Sequence, residues 1–301
     1  MDIAYPAAAG ILAANIAAST ALLLCLIPCS LVYWCVDEKK GLRLNIIILI
    51  SFWVNISIKF LFEQPGQLWQ FWPFYRESDH VIGAAVENAV LSPSVAAQNT
   101  LVMLVITASW LRKGRFYVFS ALLSVLIGIA LFFIGRYSCA DIAAGWICGG
   151  IIFCGYFLFS DKIESFAAAG GLRSGVICGA AVSFLMILFP EGKESIMTGG
   201  LLFGIILGYC LNRRYINFRS ACLMQEKNAC GFIMPARFVL GMAVLVLILF
   251  RVEKIIPQIS SSQNIKLYIF LCYLLTGLWV SVAAPWVFIK LRLAGAPPEE
   301  Q

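Results

Sequence analysis

The chain has 301 residues, of which 61% are hydrophobic and only 13% are charged, with a formal net charge of +6. About a quarter of the residues of a soluble domain are charged, because its surface must be hydrated, so this composition excludes a soluble globular protein. Several apolar runs approach or exceed the roughly 18–20 residues that cross a bilayer core. Such long unbroken runs favour helices over a closed barrel, whose strands form short alternating segments. The sequence therefore predicts an all-α polytopic membrane protein.

Nine membrane spans are predicted in chain order. They run about 10–35, 43–62, 93–111, 116–135, 141–160, 172–189, 197–212, 236–256 and 267–289. Residues 1–6 carry no Lys or Arg, so the basic start of a cleavable signal peptide is missing and the first run is expected to remain as a span. More hydrophilic segments separate the spans, among them 63–92 and 161–171.

Lysine and arginine are distributed unevenly between the two predicted sides of the membrane. One side holds fifteen of the 22 basic residues, and the richer side is expected to be cytoplasmic. This predicts a cytoplasmic (inner) membrane protein with its N-terminus outside and its C-terminus inside. The basic residues flank spans and form no single patch, so no nucleic-acid partner is expected. The fifteen are Lys39, Lys40, Arg43, Arg112, Lys113, Arg115, Lys162, Arg173, Arg213, Arg214, Arg219, Lys227, Arg237, Lys290 and Arg292.

The chain contains eleven cysteines and one histidine, His80. Most of the cysteines lie inside predicted spans, where a free cysteine behaves as a small hydrophobic residue. None has a metal-ligand spacing with a histidine. We therefore expect neither a metal site nor a cofactor.

Three short segments carry the functional signal, and they are residues 59–67, 92–99 and 135–146. Their order, spacing and topological side resemble the type 2 phosphatidic acid phosphatase superfamily, and above all its bacterial branch similar to sphingosine-phosphate phosphatases. Segments 33–43, 237–241 and 277–286 are also similar to that branch. The resemblance implies a phosphatase-like transmembrane core in residues 1–165, with additional transmembrane helices in 166–301 packed on it.

Active members of that family carry Lys-x6-Arg-Pro, then Pro-Ser-Gly-His, then Ser-Arg-x5-His-x3-Asp. The resemblance implies that the third-motif histidine attacks a phosphate and that the second-motif histidine protonates the leaving alcohol. The lysine and the two arginines hold the phosphoryl oxygens. In this chain Lys59, Pro93, Ser94 and Asp141 match the family pattern.

The positions that carry the family's chemistry do not match. Both histidines and both arginines are absent, and each such loss costs orders of magnitude in phosphoryl transfer. A gapped alternative pairs Gly135 and Arg136 with the Ser-Arg pair but leaves no room for the five-residue spacer. The residues at the lost positions are Gly66 and Gln67, Val95 and Ala96, and, counting back from Asp141, Tyr137, Leu131 and Ala130.

Two residues are candidates to restore activity. His80 lies in the predicted outer loop and could replace a catalytic histidine, whereas Tyr137 as a nucleophile would need a strong activating base. One alternative is therefore an active lipid-phosphate phosphatase or phosphotransferase with displaced catalytic residues. Another is a transporter of lipid or small molecules built on a similar bundle.

The matching positions can be explained by structure alone. The segment Ser92–Ser94 is typical of a helix start, with serine at the cap and proline in the first turn. Asp141 opens the fifth span, where a carboxylate meets the positive end of the helix. Gly145 and Gly149 are four residues apart, a spacing that suits close helix packing. This pattern indicates a retained fold that has lost its reaction, that is, a pseudoenzyme.

Lys59, Arg76 and Arg136 are predicted to form an outward pocket that binds a lipid headgroup phosphate without cleaving it. Asn55 lies one helical turn before Lys59 on the same face. Basic residues at span ends also serve as simple interfacial anchors, and the aromatic residues of loop 63–92 are equally typical of an interfacial belt. The favoured interpretation is a catalytically inactive protein that binds lipid phosphates or acts as a partner or scaffold, with membrane lipids as its expected partners.

Overall fold

The computed structural model describes residues 25–63, 93–133, 137–220, 227–255 and 264–294. Within these ranges the chain is helical apart from short turns, and no β-strand occurs. This confirms the all-α prediction. The helices are α1 (Cys25–Val36), α2 (Glu38–Glu63), α3 (Val95–Leu111), α4 (Gly114–Phe133), α5 (Cys139–Leu188), α6 (Lys193–Ile216), α7 (Lys227–Ile255) and α8 (Ile265–Lys290).

Six segments of the described chain are long and apolar enough to cross a membrane, and three shorter apolar helices accompany them. These nine segments correspond to the nine predicted spans. Helix α4 illustrates their surface, because Phe119, Leu122 and Leu126 are each at least 60% exposed. Large apolar side chains in contact with solvent would be costly, whereas lipid accepts them. The protein is a multi-pass helical membrane protein.

Helix α5 differs from the prediction. Residues 161–171 were expected to interrupt two spans, but the backbone is helical without a break from Cys139 to Leu188. The segment carries three charges, yet it is also rich in alanine and contains Lys162 and Glu164, which are good helix formers. Its polarity therefore does not end the helix.

The chain divides into two compact units, which are described separately. The larger unit comprises Met1–Leu49 and Asp161–Gln301, and the smaller unit comprises Ile50–Ser160. In the smaller unit, α3 and α4 form a helical hairpin in which the Ser120 hydroxyl donates to the Leu104 carbonyl over 3.0 Å. In the larger unit, α6 and α8 pack closely through small residues. A Cβ atom at Gly200 or Gly277 would lie 2.6 Å from a carbonyl oxygen of the other helix.

The helices of the larger unit contain three π turns: Val32–Val36 ends α1, Asn212–Ile216 ends α6, and Trp279–Ala283 lies within α8. Side chains from the first two turns bond to the third. The Trp34 indole donates to the Val280 carbonyl over 2.9 Å, and the Tyr33 hydroxyl donates to the Ser281 carbonyl over 3.0 Å. The Asn212 amide also reaches the Ser281 carbonyl, at 3.1 Å. The turns thus form one buried, hydrogen-bonded junction.

Arg237 lies beside this junction and is only 1% exposed. Its Nε donates to the Leu293 carbonyl over 2.8 Å, and its Nη1 donates to the carbonyls of Ser220 and Trp34 over 2.9 and 3.3 Å. The sequence predicts that Arg237 is one of fifteen basic residues that flank the membrane spans on the cytoplasmic side. In the structure, it instead joins three separate segments of the larger unit.

Candidate functional site

Four of the predicted site residues lie within the described part of the smaller unit, namely Lys59, Ser94, Tyr137 and Asp141. His80, Arg76 and Arg136 lie outside the described residues, as do Gly66 and Gln67. The geometry of the site is therefore built from α2, α3 and the start of α5.

Ser94 and Asp141 come together through the backbone. The Ser94 amide donates to the Asp141 carbonyl over 3.0 Å, which joins the start of α3 to the first turn of α5. The Ser94 side chain is fully buried and accepts from the Ala97 amide at 3.3 Å, so it is the N-cap of α3. The helix was expected to begin at the proline. Pro93 instead precedes the cap, and its carbonyl accepts from the Asn55 amide over 3.1 Å.

Asp141 also serves a helix start, as the sequence predicts, but two residues inside the helix. Helix α5 begins at Cys139, and Ser138 precedes it as the cap. The Asp141 carboxylate accepts from the Ser138 amide at 3.0 Å and from its hydroxyl at 2.8 Å, while the Asp141 amide donates to the Ser138 hydroxyl over 3.2 Å. This reciprocal pair is a capping box. It lies directly after Tyr137, which is half-buried.

A buried set of polar side chains lies next to these helix starts. We call Ser51, Asn55, Gln98 and Asn99 the amide cluster; none of them is more than 2% exposed. Gln98 donates to the Ser51 carbonyl and hydroxyl over 2.7 and 2.9 Å and accepts from Asn55 at 2.8 Å. The Ser51 hydroxyl donates to Asn99 over 2.6 Å. The cluster therefore links α2 to α3.

Asn55 was singled out from the sequence, but the other three residues of the amide cluster were missed. The available signal was the presence of Gln98 and Asn99 inside a predicted span. Polar groups at membrane depth face the protein interior, where they find partners. Lys59 follows Asn55 by one turn of α2, on the same face, and is half-buried. Because Asn55 contacts Pro93, the turn of α2 that precedes Lys59 lies next to the start of α3.

Two glycines allow the close approach of α3 and α5. A Cβ atom at Gly145 would lie 2.7 Å from the Ser94 carbonyl oxygen, and one at Gly149 would lie 3.0 Å from that of Gln98. The predicted close packing at this pair is confirmed. Any larger residue at Gly145 would push the cap of α3 away from the first turn of α5.

The described part of the site holds a backbone frame rather than an acid–base pair. The Ser94 hydroxyl and the Asp141 carboxylate both take part in helix capping, and Val95 and Ala96 occupy the positions of the family's Gly-His pair. Among the described residues, no group of three His, Cys, Asp or Glu side chains could hold a metal ion. Lys59 lies one turn of α2 after Asn55, the residue that contacts Pro93 beside the cap of α3.

One family model is similar to part of this chain. A family model described as PAP2 superfamily phosphatase, transmembrane extension, matches residues 196–296, which is about a third of the chain and covers most of α6 together with α7 and α8. This confirms the resemblance to the type 2 phosphatidic acid phosphatase superfamily. The three motif segments lie outside the matched range. No curated protein and no solved structure matches the chain.

Proposed function

We propose that this protein is a catalytically inactive relative of the type 2 phosphatidic acid phosphatases that binds lipid phosphate headgroups. In this role it acts as a partner or scaffold in the cytoplasmic membrane. The observation that carries the proposal is the use of Ser94 and Asp141 as helix caps around a frame whose histidine positions hold Ala96 and Tyr137. The described residues of the frame have structural roles in helix capping, and other residues stand at the positions of the family's histidines.

Binding without cleavage requires cations and no nucleophile. Lys59 supplies one cation beside the amide cluster, and Arg76 and Arg136 are its proposed companions from the two segments that follow α2 and α4 in the chain. Arginine suits this role because its planar fork bonds two phosphate oxygens at once. A phosphate held in this way would keep its ester bond, because Tyr137 stands at the position of the family's attacking histidine.

The proposed orientation puts this site on the outer side of the cytoplasmic membrane, with the N-terminus outside and the C-terminus inside. It rests on the excess of basic residues on the opposite side. Accessibility labelling of single cysteines placed at Lys59 and Arg213, in a cysteine-free variant in intact cells, tests it. Only the first position should react with a membrane-impermeant reagent.

Catalysis is tested with the purified full-length protein in detergent and an active enzyme of the superfamily in parallel. Phosphatidic acid, sphingosine phosphate and isoprenyl diphosphates are the substrates, and we expect no phosphate release above background. Vanadate-sensitive release that disappears in His80→Ala or Tyr137→Phe would establish the alternative, an active phosphatase with displaced residues. Lipid scrambling in reconstituted vesicles would instead support the transporter alternative.

Headgroup binding is tested with phosphatidic acid against phosphatidylcholine, counted as bound lipid by native mass spectrometry. Replacing Lys59, Arg76 and Arg136 with alanine should weaken phosphatidic acid binding by roughly tenfold or more, since hydrogen bonds to charged groups are lost. The matched control replaces three other cations of the same predicted side, Lys193, Arg251 and Lys266. If both triple variants weakened phosphatidic acid binding equally, Lys59, Arg76 and Arg136 would not form a specific phosphate site.

A further inference from the structure

A cavity of about 370 Å³ lies in the larger unit, where the π turn at the end of α6 meets the start of α2. Its size is near the lower limit of the roughly 300–1,000 Å³ typical of small-molecule sites. None of its lining residues belongs to the three phosphatase-like motif segments. Its polar lining includes Glu38, Lys39, Asn212, Arg213, Asn217 and Arg219.

The charges around this cavity are unbalanced. Lys39, Arg213 and Arg219 contribute three positive charges against the one carboxylate of Glu38. That carboxylate is already engaged, because one of its oxygens accepts from the Ser220 hydroxyl at 2.7 Å and from the Ser220 amide at 3.2 Å. Within the part of the chain that the structure describes, no ion pair reaches any of the three cations. The cavity is therefore electropositive and attracts anions.

The wall of the cavity is held in place by the buried π-turn junction. The Asn212 amide donates to the Tyr33 hydroxyl and the Ser281 carbonyl over 3.2 and 3.1 Å, and its oxygen accepts from the Phe218 amide at 3.2 Å. The backbone amide of Asn217 donates to the backbone carbonyl of Asn212 over 2.6 Å, and this bond closes the π turn. Because the segment from Asn212 to Phe218 is fixed before any ligand arrives, binding would cost little ordering of the chain.

We propose that this cavity binds a phosphate-bearing anion. Two arginines and a lysine are the donors that recognise phosphate oxygens, with arginine able to bond two of them at once. The same chemistry fits the phosphate of a lipid headgroup and a free phosphate from the aqueous side. The lining from Asn212 to Arg219 lies within the range similar to the transmembrane extension. The site therefore lies largely in the extension, is completed by Glu38 and Lys39 of α2, and is independent of the motif segments.

The test uses the full-length protein in neutral detergent and in nanodiscs, with hydrogen exchange of peptides covering residues 212–220 as a site-resolved readout. Inorganic phosphate at constant ionic strength is the soluble probe. Nanodiscs of phosphatidylcholine, with or without phosphatidylglycerol, are the lipid probe. Arg213→Ala and Arg219→Ala are the test variants. The control is Arg214→Ala, because Arg214 is exposed in the same π turn and lies over the Tyr215 ring rather than in the cavity.

We expect a probe to protect the backbone amides of residues 212–220 from hydrogen exchange. Each test variant should reduce this protection by roughly tenfold, since a charge-assisted hydrogen bond to the anion is lost. Arg214→Ala should change it by less than roughly twofold. Protection by phosphate alone would identify a soluble ligand, and protection only by phosphatidylglycerol nanodiscs would identify a lipid headgroup. The proposal fails if neither probe protects this segment, or if Arg213→Ala and Arg214→Ala weaken protection equally. It also fails if Lys59→Ala abolishes the protection, because the anion would then act through the outward site.

Discussion

Replacing Arg237 with alanine should be one of the most destabilising single changes in the larger unit. The side chain is 1% exposed and donates to three backbone carbonyls, those of Leu293, Ser220 and Trp34, over 2.8 to 3.3 Å. These acceptors belong to the segment after α8, the segment after α6, and α1. Truncation removes all three bonds at once and leaves the carbonyls buried.

The magnitude follows from these contacts. A hydrogen bond to a charged group contributes about 1.5–3 kcal/mol, and removing one member of a buried charged network costs about 3–5 kcal/mol in net terms. We therefore expect Arg237→Ala to lower the free energy of unfolding by about 4 kcal/mol. Arg237→Lys keeps the charge but lacks the planar guanidinium group, whose donors point toward carbonyls in different directions. It should therefore recover only part of the lost free energy of unfolding.

Titration with a denaturing detergent, followed by far-ultraviolet circular dichroism, measures this free energy in micelles. The matched control is Arg251→Ala, because Arg251 is an exposed arginine on the same helix. A surface substitution of that kind changes stability by no more than about 0.5 kcal/mol. If Arg237→Ala and Arg251→Ala differed by less than about 1 kcal/mol, the three carbonyl bonds would not stabilise the unit and the reasoning would be refuted.

Three further predictions concern the frame of the candidate site, and each is measured by the same titration. Gln98→Leu should destabilise the protein by about 2 kcal/mol, because Ser51 and Asn55 lose their buried partner; no measurable loss would mean that the amide cluster does not stabilise the unit. Gly145→Ala should cost about 1–3 kcal/mol, since its Cβ would lie 2.7 Å from a carbonyl oxygen. Gly150→Ala has open space and should be neutral or stabilise by up to about 1 kcal/mol, so equal effects of the two alanines would contradict the packing argument. Asp141→Ala should cost about 1 kcal/mol through the capping box and leave phosphate release at background, as in the unmutated protein. Release by the unmutated protein that was lost in Asp141→Ala would instead show that Asp141 has a catalytic role.

The helices could be predicted from the sequence because a segment that crosses the bilayer must be long and predominantly apolar. Helix α4, for example, was expected at 116–135 and lies at Gly114–Phe133. Parts of the frame were also accessible, since the helix start near Ser94, Asp141 and Gly145 can be recognised from residue type and spacing, although the cap is Ser94 and not the serine before the proline. Each of these features depends on neighbours that are close in the chain or on one helix face.

Features that depend on contacts between distant segments could not be predicted. In the sequence, Arg237 resembles any other basic residue near the end of a span. Its three carbonyl partners come from distant segments and are brought together only by the fold. The partner of Asn55 in α3, Gln98, is 43 residues away in the chain. The continuity of α5 was missed for a different reason, because the polarity of residues 161–171 outweighed their helix propensity in the analysis of spans.

The π turns also affect how related chains should be aligned. Each turn closes with a backbone bond from residue i+5 to residue i, as from Asp37 to Val32 and from Asn217 to Asn212, and so holds one residue more than an α turn. One residue corresponds to about 100° of rotation at 3.6 residues per turn, so a helical wheel drawn straight through Ile265–Lys290 loses its phase at Trp279–Ala283. A relative with a regular helix at this place would align with this chain only through a one-residue gap, and we expect single-residue deletions to be tolerated better inside these turns than on either side of them.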